Sequence, residues 1–569
     1  MRTTVISSRT LALVLVLLVI VAYGGCVNYP FVYDDLSGIV DNPLISGAET
    51  VAQASRALLE TWRPATRFTY ALTHALFGFS KPAFHATNLA AHILNTLLVF
   101  GIAIRLAKRW MPGFNPAHFG FAAGMIHAVH PLYTEAVTYI SGRSSSLRGL
   151  FYFGCLFLVM RAVESRNTVP QSLWFGAAAI SGVLAWEAKE EAITLPIIVA
   201  IFLILAGFRK PAAALMALPL AVVVAHSHAI ASLYRTSVAN EGLVNIGMGT
   251  RVETLPYVLT EIKAAVFYYM SQFVVPLTQS VDPYFRTVQS IFEPGFLIAV
   301  AILAILVVIA VRSSRRQPVL TFSIAALLVS PLLAYAVIPV PDLVAEHRIY
   351  VAGLGFDLLI AWMLTRAPRL MLPSIAVLAM ALTASTIVRN SVWGSEVTLW
   401  RQAERNSGRN QIRPHLNLGA AFQVAGQFDA ALEEYRHSLS IRQDLPLVYS
   451  NMGTIYLGQA RFDEAEAMLK RAVELSPSMS QPYINLASID VHRKKADEAL
   501  EYASKAERAG AAAYWVHFVR AEALTLTGQF DAARAEYEIA AKLSEGHRAL
   551  HDEIQSRLSA LRSQTGSVK

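Results

Sequence analysis

The sequence predicts an all-α protein in two parts: a polytopic bundle of about eleven membrane helices, then an α-solenoid of short repeats. Three observations carry this. Hydrophobic residues make up 54% of the 569 and charged residues 15%, with mean hydropathy +0.44, a balance that belongs to integral membrane proteins. Apolar runs of spanning length recur up to about Val388, after which the sequence is charged and Ala-rich. A 34-residue period then sets in. A chain this long does not make one compact domain. The expected parts are 1–388 (membrane), 389–412 (a linker helix), 413–548 (about four repeats) and 549–569 (a basic helical tail).

The apolar runs fall near 4–23, 85–104, 117–132, 145–162, 171–186, 191–208, 212–233, 296–312, 318–338, 349–365 and 370–388. Basic residues gather in alternate breaks: Arg105, Lys108 and Arg109; Arg161 and Arg166; Arg209 and Lys210; Arg312, Arg315 and Arg316; Arg366 and Arg369. Placing these in the cytoplasm puts the N-terminus inside and the repeats outside. Residues 256–277 are nearly long enough to span but carry Glu261 and Lys263, and are expected as an interfacial or re-entrant helix. Arg2 and Arg9 before a run ending in Gly24-Gly25-Cys26 have the form of a signal. Tyr23 suits no lipoprotein cleavage site, so an uncleaved anchor is expected. The net charge of +8 lies in these small clusters, with no basic stripe among aromatics, which excludes a nucleic-acid partner. Cys26 and Cys155 make neither a disulfide framework nor a metal spacing.

Directly after the first run comes Phe31-Val-Tyr-Asp34-Asp35, with two carboxylates where the chain leaves the membrane. Such a pair suits a general base taking a proton from a substrate; a solvated turn is the plainer alternative. The remaining ionisable groups of the outer face fall in Trp62-Arg63-Pro64, His130-Pro131 to Glu135, Ser141-Gly142-Arg143, Lys189-Glu190-Glu191 and Glu346-His347-Arg348. Any one of these could be a wet loop charge, and Lys189-Glu190-Glu191 reads equally as a solvated cap. His130 and Glu135, five apart across a proline turn, are supports of a site or ligands of a divalent metal; support is the favoured reading, and no cofactor is called for. In the second run His85, Asn88, His92 and Asn95 share one helical face, expected to bond to neighbouring helices rather than to a ligand. His226 and His228 are weaker cases of the same kind.

In the second part Asn417, Asn451 and Asn485 stand one period apart, as do Asp429, Asp463, Asp497 and Asp531, each followed two residues on by alanine. This pattern resembles the tetratricopeptide repeat, with the aspartates expected as helix caps and the stack as a surface for a protein partner. The whole chain resembles the transmembrane and tetratricopeptide-repeat-containing protein O-mannosyltransferases, of the GT-C glycosyltransferase class. The stretches FVYDDLSGIVDNP, RPATRFTYALTHALFG, FHATNLAAHILNTLLVF, HPLYTEAVTYISGRSSSL, WEAKEEAITLPIIV, AEHRIYVAGLGF and RNSVWGSEVTLWRQA carry the resemblance. Tyr133 departs from it, standing where relatives tend to have a second histidine, which counts against a metal at His130.

The resemblance implies inverting transfer of a sugar, mannose or another hexose, from a polyprenyl-phosphate donor to a protein hydroxyl at the outer membrane face. Asp34 or Asp35 would be the base. Arg348, with His347, Arg143 or Lys189, would hold the donor phosphate, and His130, Glu135, Glu190, His92 and Arg63 would support them. The implied partners are the lipid-linked donor, an acceptor protein, a protein bound by the repeats, and membrane lipids. Short loops suit a bacterial inner membrane with periplasmic repeats. Two other readings are an O-antigen-type polymerase or ligase, which would need a large late outer loop, and a transporter or scaffold, which offers no use for the acid pair.

Overall fold

The computed structural model describes residues 7–59, 62–209, 211, 254–337, 343–408, 411–544 and 548–566. These residues are predominantly helical, with no strand among them. They form two compact units, the first ending at Gly408 and the second running from Arg409. The stretch expected as a linker helix packs into the first unit as far as Gly408. Ser395 caps helix Glu396–Asn406, and Trp393, Leu399 and Trp400 are buried there.

In the first unit ten helices stand on expected apolar runs. They are Ser8–Tyr23, Lys81–Trp110, Pro116–Val129, Arg143–Glu164, Thr168–Ala188, Leu195–Leu205, Pro294–Ser313, Pro318–Val337, Gly353–Leu364 and Pro368–Ser391. The run 212–233, with His226 and His228, lies outside the described residues. Among the described residues five helices are long and apolar enough to cross a membrane. On Pro294–Ser313, Ile298, Ile305, Val308 and Val311 are exposed, and only 17% of its apolar window is buried. Such a surface is stable against lipid and strongly unfavourable in water.

Side-chain pairs show which helix ends lie together. At one end Arg105 pairs with Glu164, Arg109 donates to Ala206 O, and Arg366 donates to Gln317. Phe202 and Phe322, with ring centroids 6.4 Å apart near the ends of their helices, bring these two groups of breaks to the same end, in the arrangement the charge pattern predicts. At the other end His85 meets Tyr29 O, Thr66 donates to Ala188 O, and Asn390 donates to Ala22 O. The segment expected at the interface forms helix Thr254–Ala264 followed by a wide π turn. Its charges are not held by solvent: Lys263 pairs with Glu293 at 2.5 Å, and buried Glu261 faces Arg348. Ion pairing within the protein accounts for both.

The second unit is a row of helix pairs: Ile412–Val424 with Phe428–Ile441, Pro446–Gly458 with Phe462–Leu475, Ser480–His492 with Ala496–Arg508, and Ala513–Leu526 with Phe530–Leu543. Helix Arg548–Gly566 follows. Ala431, Ala465, Ala499 and Ala533 are fully buried, and a Cβ at Gly419 or Gly453 would come within 2.6 Å of Tyr435 or Leu469. Small residues thus let each pair close. Of the four periodic aspartates none is a cap. Gln427, Arg461, Lys495 and Gln529 hold the N-cap positions, and each aspartate lies in the first turn, where its charge opposes the helix dipole.

Candidate active site

The two adjacent carboxylates have different surroundings. Tyr33 adopts φ +54°, in the left-handed region, and the chain turns so that Asp34 is exposed while Asp35 is fully buried. The Asp35 carboxylate accepts from Val32 N at 3.1 Å, Ser141 N at 2.7 Å and Ser141 Oγ at 2.6 Å. Burial pushes this carboxyl up to about 7, against those three hydrogen bonds. Asp35 thus ties the first loop to the third, and its oxygens are already occupied. Asp34 N donates to Tyr139 Oη at 3.1 Å, and the Asp34 side chain shares that hydroxyl. Tyr139 stacks on Trp393, with ring centroids 4.9 Å apart, and Tyr33 packs edge-on to Trp400 at 5.1 Å. Glu396 accepts from Tyr33 N and from Trp400 Nε1. The junction stretch RNSVWGSEVTLWRQA is therefore the wall behind Asp34.

A second group lies among the loops after the helices. Arg63 (φ +50°) sends Nε and Nη2 to the two oxygens of Glu190 at 2.9 and 2.6 Å, a forked pair. Lys189 is buried, 3.1 Å from Ser145 Oγ and 3.3 Å from Glu191, which also pairs with Arg148. Arg148 Nη2 donates to Arg348 O at 2.9 Å, and Arg348 Nη1 lies 3.5 Å from Glu261. Burial, with the charges of Arg63, Arg148 and Arg348, pushes the Lys189 ammonium well below its usual range. Three guanidiniums and Lys189 thus lie among three carboxylates in a largely buried cluster, with more basic groups than acidic ones.

A third group joins the first two. His347 Nδ1 is 2.8 Å from Glu135 Oε1, and His347 N donates to Oε2 at 2.9 Å. The ring is about a quarter exposed, while Glu135 is buried. Next to it Glu346 is fully buried. It accepts from Ser280 N at 2.7 Å and faces Arg389 at 3.5 Å; burial pushes its carboxyl up to about 7. Arg389 lies over the Trp393 ring at 5.9 Å, which leads back to Tyr139 and Asp34.

The structure brings Asp34, Arg63, Lys189, Glu190, Glu135, His347 and Arg348 to one end of the bundle through continuous contacts. Arg143, expected at the phosphate, serves elsewhere, while His130 and His92, expected as supports, bond to the protein around them. Arg143 is fully buried, and its guanidinium donates to Asn88 Oδ1, Thr69 O, Thr73 Oγ1 and Phe84 O over the Tyr70 ring. It clamps loops and has little left to offer a phosphate. His130 is buried with Nε2 against Phe273 O at 3.0 Å and Nδ1 accepting from Leu132 N, so both ring nitrogens face main chain and neither is placed to ligate a metal. His92 bonds Tyr350 Oη and Ala128 O, as the interhelical reading of its face predicts, and Asn88 and Asn95 likewise reach main-chain oxygens. Among the described residues no group of three or more His, Cys, Asp or Glu could hold a metal. Arg148, Arg389 and Glu396 were not singled out from the sequence, and Glu346 was named only as an outer-face charge without a role. Arg148 carried a signal, since it is a charge inside an apolar run.

Models of the tetratricopeptide repeat match residues 410–478 and 514–538. The chain is similar to a protein O-mannosyl-transferase of Caenorhabditis elegans, 31% identical over 27% of this chain and 23% of the relative. It is similar to protein O-mannosyl-transferase TMTC3 of Homo sapiens, 23% identical over 75% of this chain and 51% of the relative. Tmtc1 of Drosophila melanogaster, another protein O-mannosyl-transferase, is 30% identical over 31% and 21%. The chain thus spans between about a fifth and a half of these relatives' own lengths. The resemblance read from the sequence is borne out.

Proposed function

We propose that this TMTC-like membrane protein is a glycosyltransferase that moves a sugar, mannose by its likeness to the protein O-mannosyl-transferases, from a polyprenyl-phosphate donor to serine or threonine hydroxyls of a protein. The observation that carries this reading is the division of labour in the acid pair: Asp35 is consumed by the fold, and Asp34 is left exposed at the end of the bundle where cations collect.

In the proposed reaction Asp34 takes the proton of the acceptor hydroxyl. The oxygen attacks the anomeric carbon, and the bond from that carbon to the phosphate oxygen breaks on the opposite face, inverting the centre. The electron pair leaves on the lipid phosphate. Arg348 neutralises it, Lys189 and the His347 ring offer it hydrogen bonds, and Arg148 and Glu191 hold the first two in register. Arg143, His130 and His92 are support. A lipid-borne donor agrees with a site at the end of a membrane bundle, and the proposed setting is a bacterial inner membrane with the site and the repeats in the periplasm.

The test is transfer from a polyprenyl-phosphate mannose to acceptor peptide by the purified protein. Asp34→Asn is expected to lower turnover by at least ~10³-fold with donor binding retained. Wild-type-like turnover in that variant would refute Asp34 as the base, and a wild-type protein inert toward every polyprenyl-phosphate sugar would refute the donor class.

A further inference from the structure

Asp357 lies fully buried on the apolar helix Gly353–Leu364, where an unneeded carboxylate is costly. His127 Nδ1 is 2.8 Å from one of its oxygens, and Tyr133 Oη lies 3.2 and 3.3 Å from the two. Beside them Tyr350 Oη is 2.6 Å from His92 Nδ1 and accepts from Asn95 Nδ2 at 3.1 Å. The rings of Tyr133 and Tyr350 meet edge to face at 5.2 Å, and His127 lies 4.7 and 5.3 Å from them. Neither tyrosine has room to move. A Cβ on Gly353 would fall 2.0 Å from Tyr133 Oη, and one on Gly149 would fall 2.6 Å from the Tyr350 ring.

What these anchors hold is informative. Tyr133 precedes Glu135 by two residues and Tyr350 follows His347 by three, so the two loops that meet in the Glu135–His347 contact are each pinned to the same polar core. Apolar side chains of similar volume would pack such a core without loss, so burial alone does not account for a carboxylate there. A carboxylate bonded to both a tyrosine and a histidine fixes direction as well as distance.

We propose that Asp357, through Tyr133 and His127, is a positioning residue that sets the Glu135–His347 pair. The core fixes where the His347 ring points and how firmly Glu135 holds its proton. Glu135 faces that ring at 2.8 Å, Glu346 and Arg348 flank His347 in the chain, and Arg389 and Tyr268 pair with Glu346. The catalytic meaning of the pair rests on the function proposed above; the positioning itself does not.

The experiment reads His347 directly. Carbethoxylation by diethyl pyrocarbonate is followed residue by residue by mass spectrometry across a pH series, on the full-length protein in detergent or nanodiscs. Exposed His437, in the second unit, is the internal control. Tyr133→Phe and Asp357→Asn are each expected to change the His347 rate about threefold or more and to shift its pH profile. His437 should stay as in the wild type, and the double variant should match the single ones. A His347 profile in Tyr133→Phe that overlays the wild type, or two changes that multiply in the double variant, overturns the proposal. Tyr133→Phe removes a single oxygen and carries the test if Asp357→Asn does not fold. Because labelling needs no turnover, its result stands apart from the transfer assay.

Discussion

Asp34 and Asp35 are neighbours in sequence, and replacing each by asparagine should have opposite consequences. At Asp35 the amide would turn an NH2 group toward Val32 N or toward the two donors of Ser141, leaving buried donors unmatched. A loss of about 1–3 kcal/mol is expected, read as a lower thermal midpoint. Asp34→Asn, on an exposed side chain, should leave that midpoint within about 0.5 kcal/mol of the wild type while removing transfer. The pH dependence follows from the same burial. The folded protein keeps the Asp35 proton up to about 7, whereas the reference value is 3.8, so this carboxyl favours folding fully below 3.8 and progressively less as the pH rises to 7. Thermal midpoints measured across pH 4 to 7 should therefore fall less steeply in Asp35→Ser than in the wild type. From the sequence the pair stood out but its division did not, because both residues follow the same apolar run. What separates them is Ser141, more than a hundred residues away. Arg143 misled for a related reason: an arginine after Ser-Gly reads as a loop charge until Thr69, Phe84 and Asn88 close around it.

Helix placement was legible because it depends on local periodicity and length. Every described apolar run is helical, and the 34-residue period marks each helix pair of the second unit. Less legible was how the pairs turn. Gly426, Ala460, Lys494 and Gly528 stand one period apart, and all have positive φ, of 72°, 57°, 59° and 75°. In each turn the next residue's N–H reaches back to a helical carbonyl, as Gln427 does to Phe422 O and Lys495 to Asp490 O, closing the helix in a left-handed cap. Glycine takes this conformation freely, and a side chain raises its energy by about 1–2 kcal/mol. Lys494 is exposed, so replacing it removes no packing. Lys494→Gly should raise the stability of the second unit by about 1 kcal/mol in a denaturant titration, and Gly528→Val should lower it by a similar amount. The aspartates beside these turns looked like caps because they stand near helix starts. The N-cap falls on the residue directly after each left-handed turn, and the aspartate stands two positions further on, inside the first helical turn.

At the scale of the molecule, composition placed the chain in a membrane, and helix-end contacts divide its loops into two sets. Arg105, Glu164, Arg109 and Ala206 meet at one end; Asp35, Ser141, Arg63, Glu190, Glu135 and His347 join loops at the other. Helix Pro368–Ser391 rises to that second end, and the chain leaves the first unit there, with Asn406 bonded to Gln279 O. If basic ends stay in the cytoplasm, the site and the repeats share the opposite side. Cys26 and Cys155 are both buried, out of reach of a polar maleimide, so single cysteines can be read against a silent background. Exposed Ser37, Arg166 and Ser478 are suitable positions. A membrane-impermeant maleimide applied to intact bacterial cells with a permeabilised outer membrane should label Ser37→Cys and Ser478→Cys and miss Arg166→Cys until the inner membrane is opened. Labelling of Arg166→Cys alone would place Asp34 in the cytosol and remove the basis for an outer-face reaction. Labelling of Ser37→Cys without Ser478→Cys would instead require a further crossing between the site and the repeats, and the two would then lie on opposite sides of the membrane.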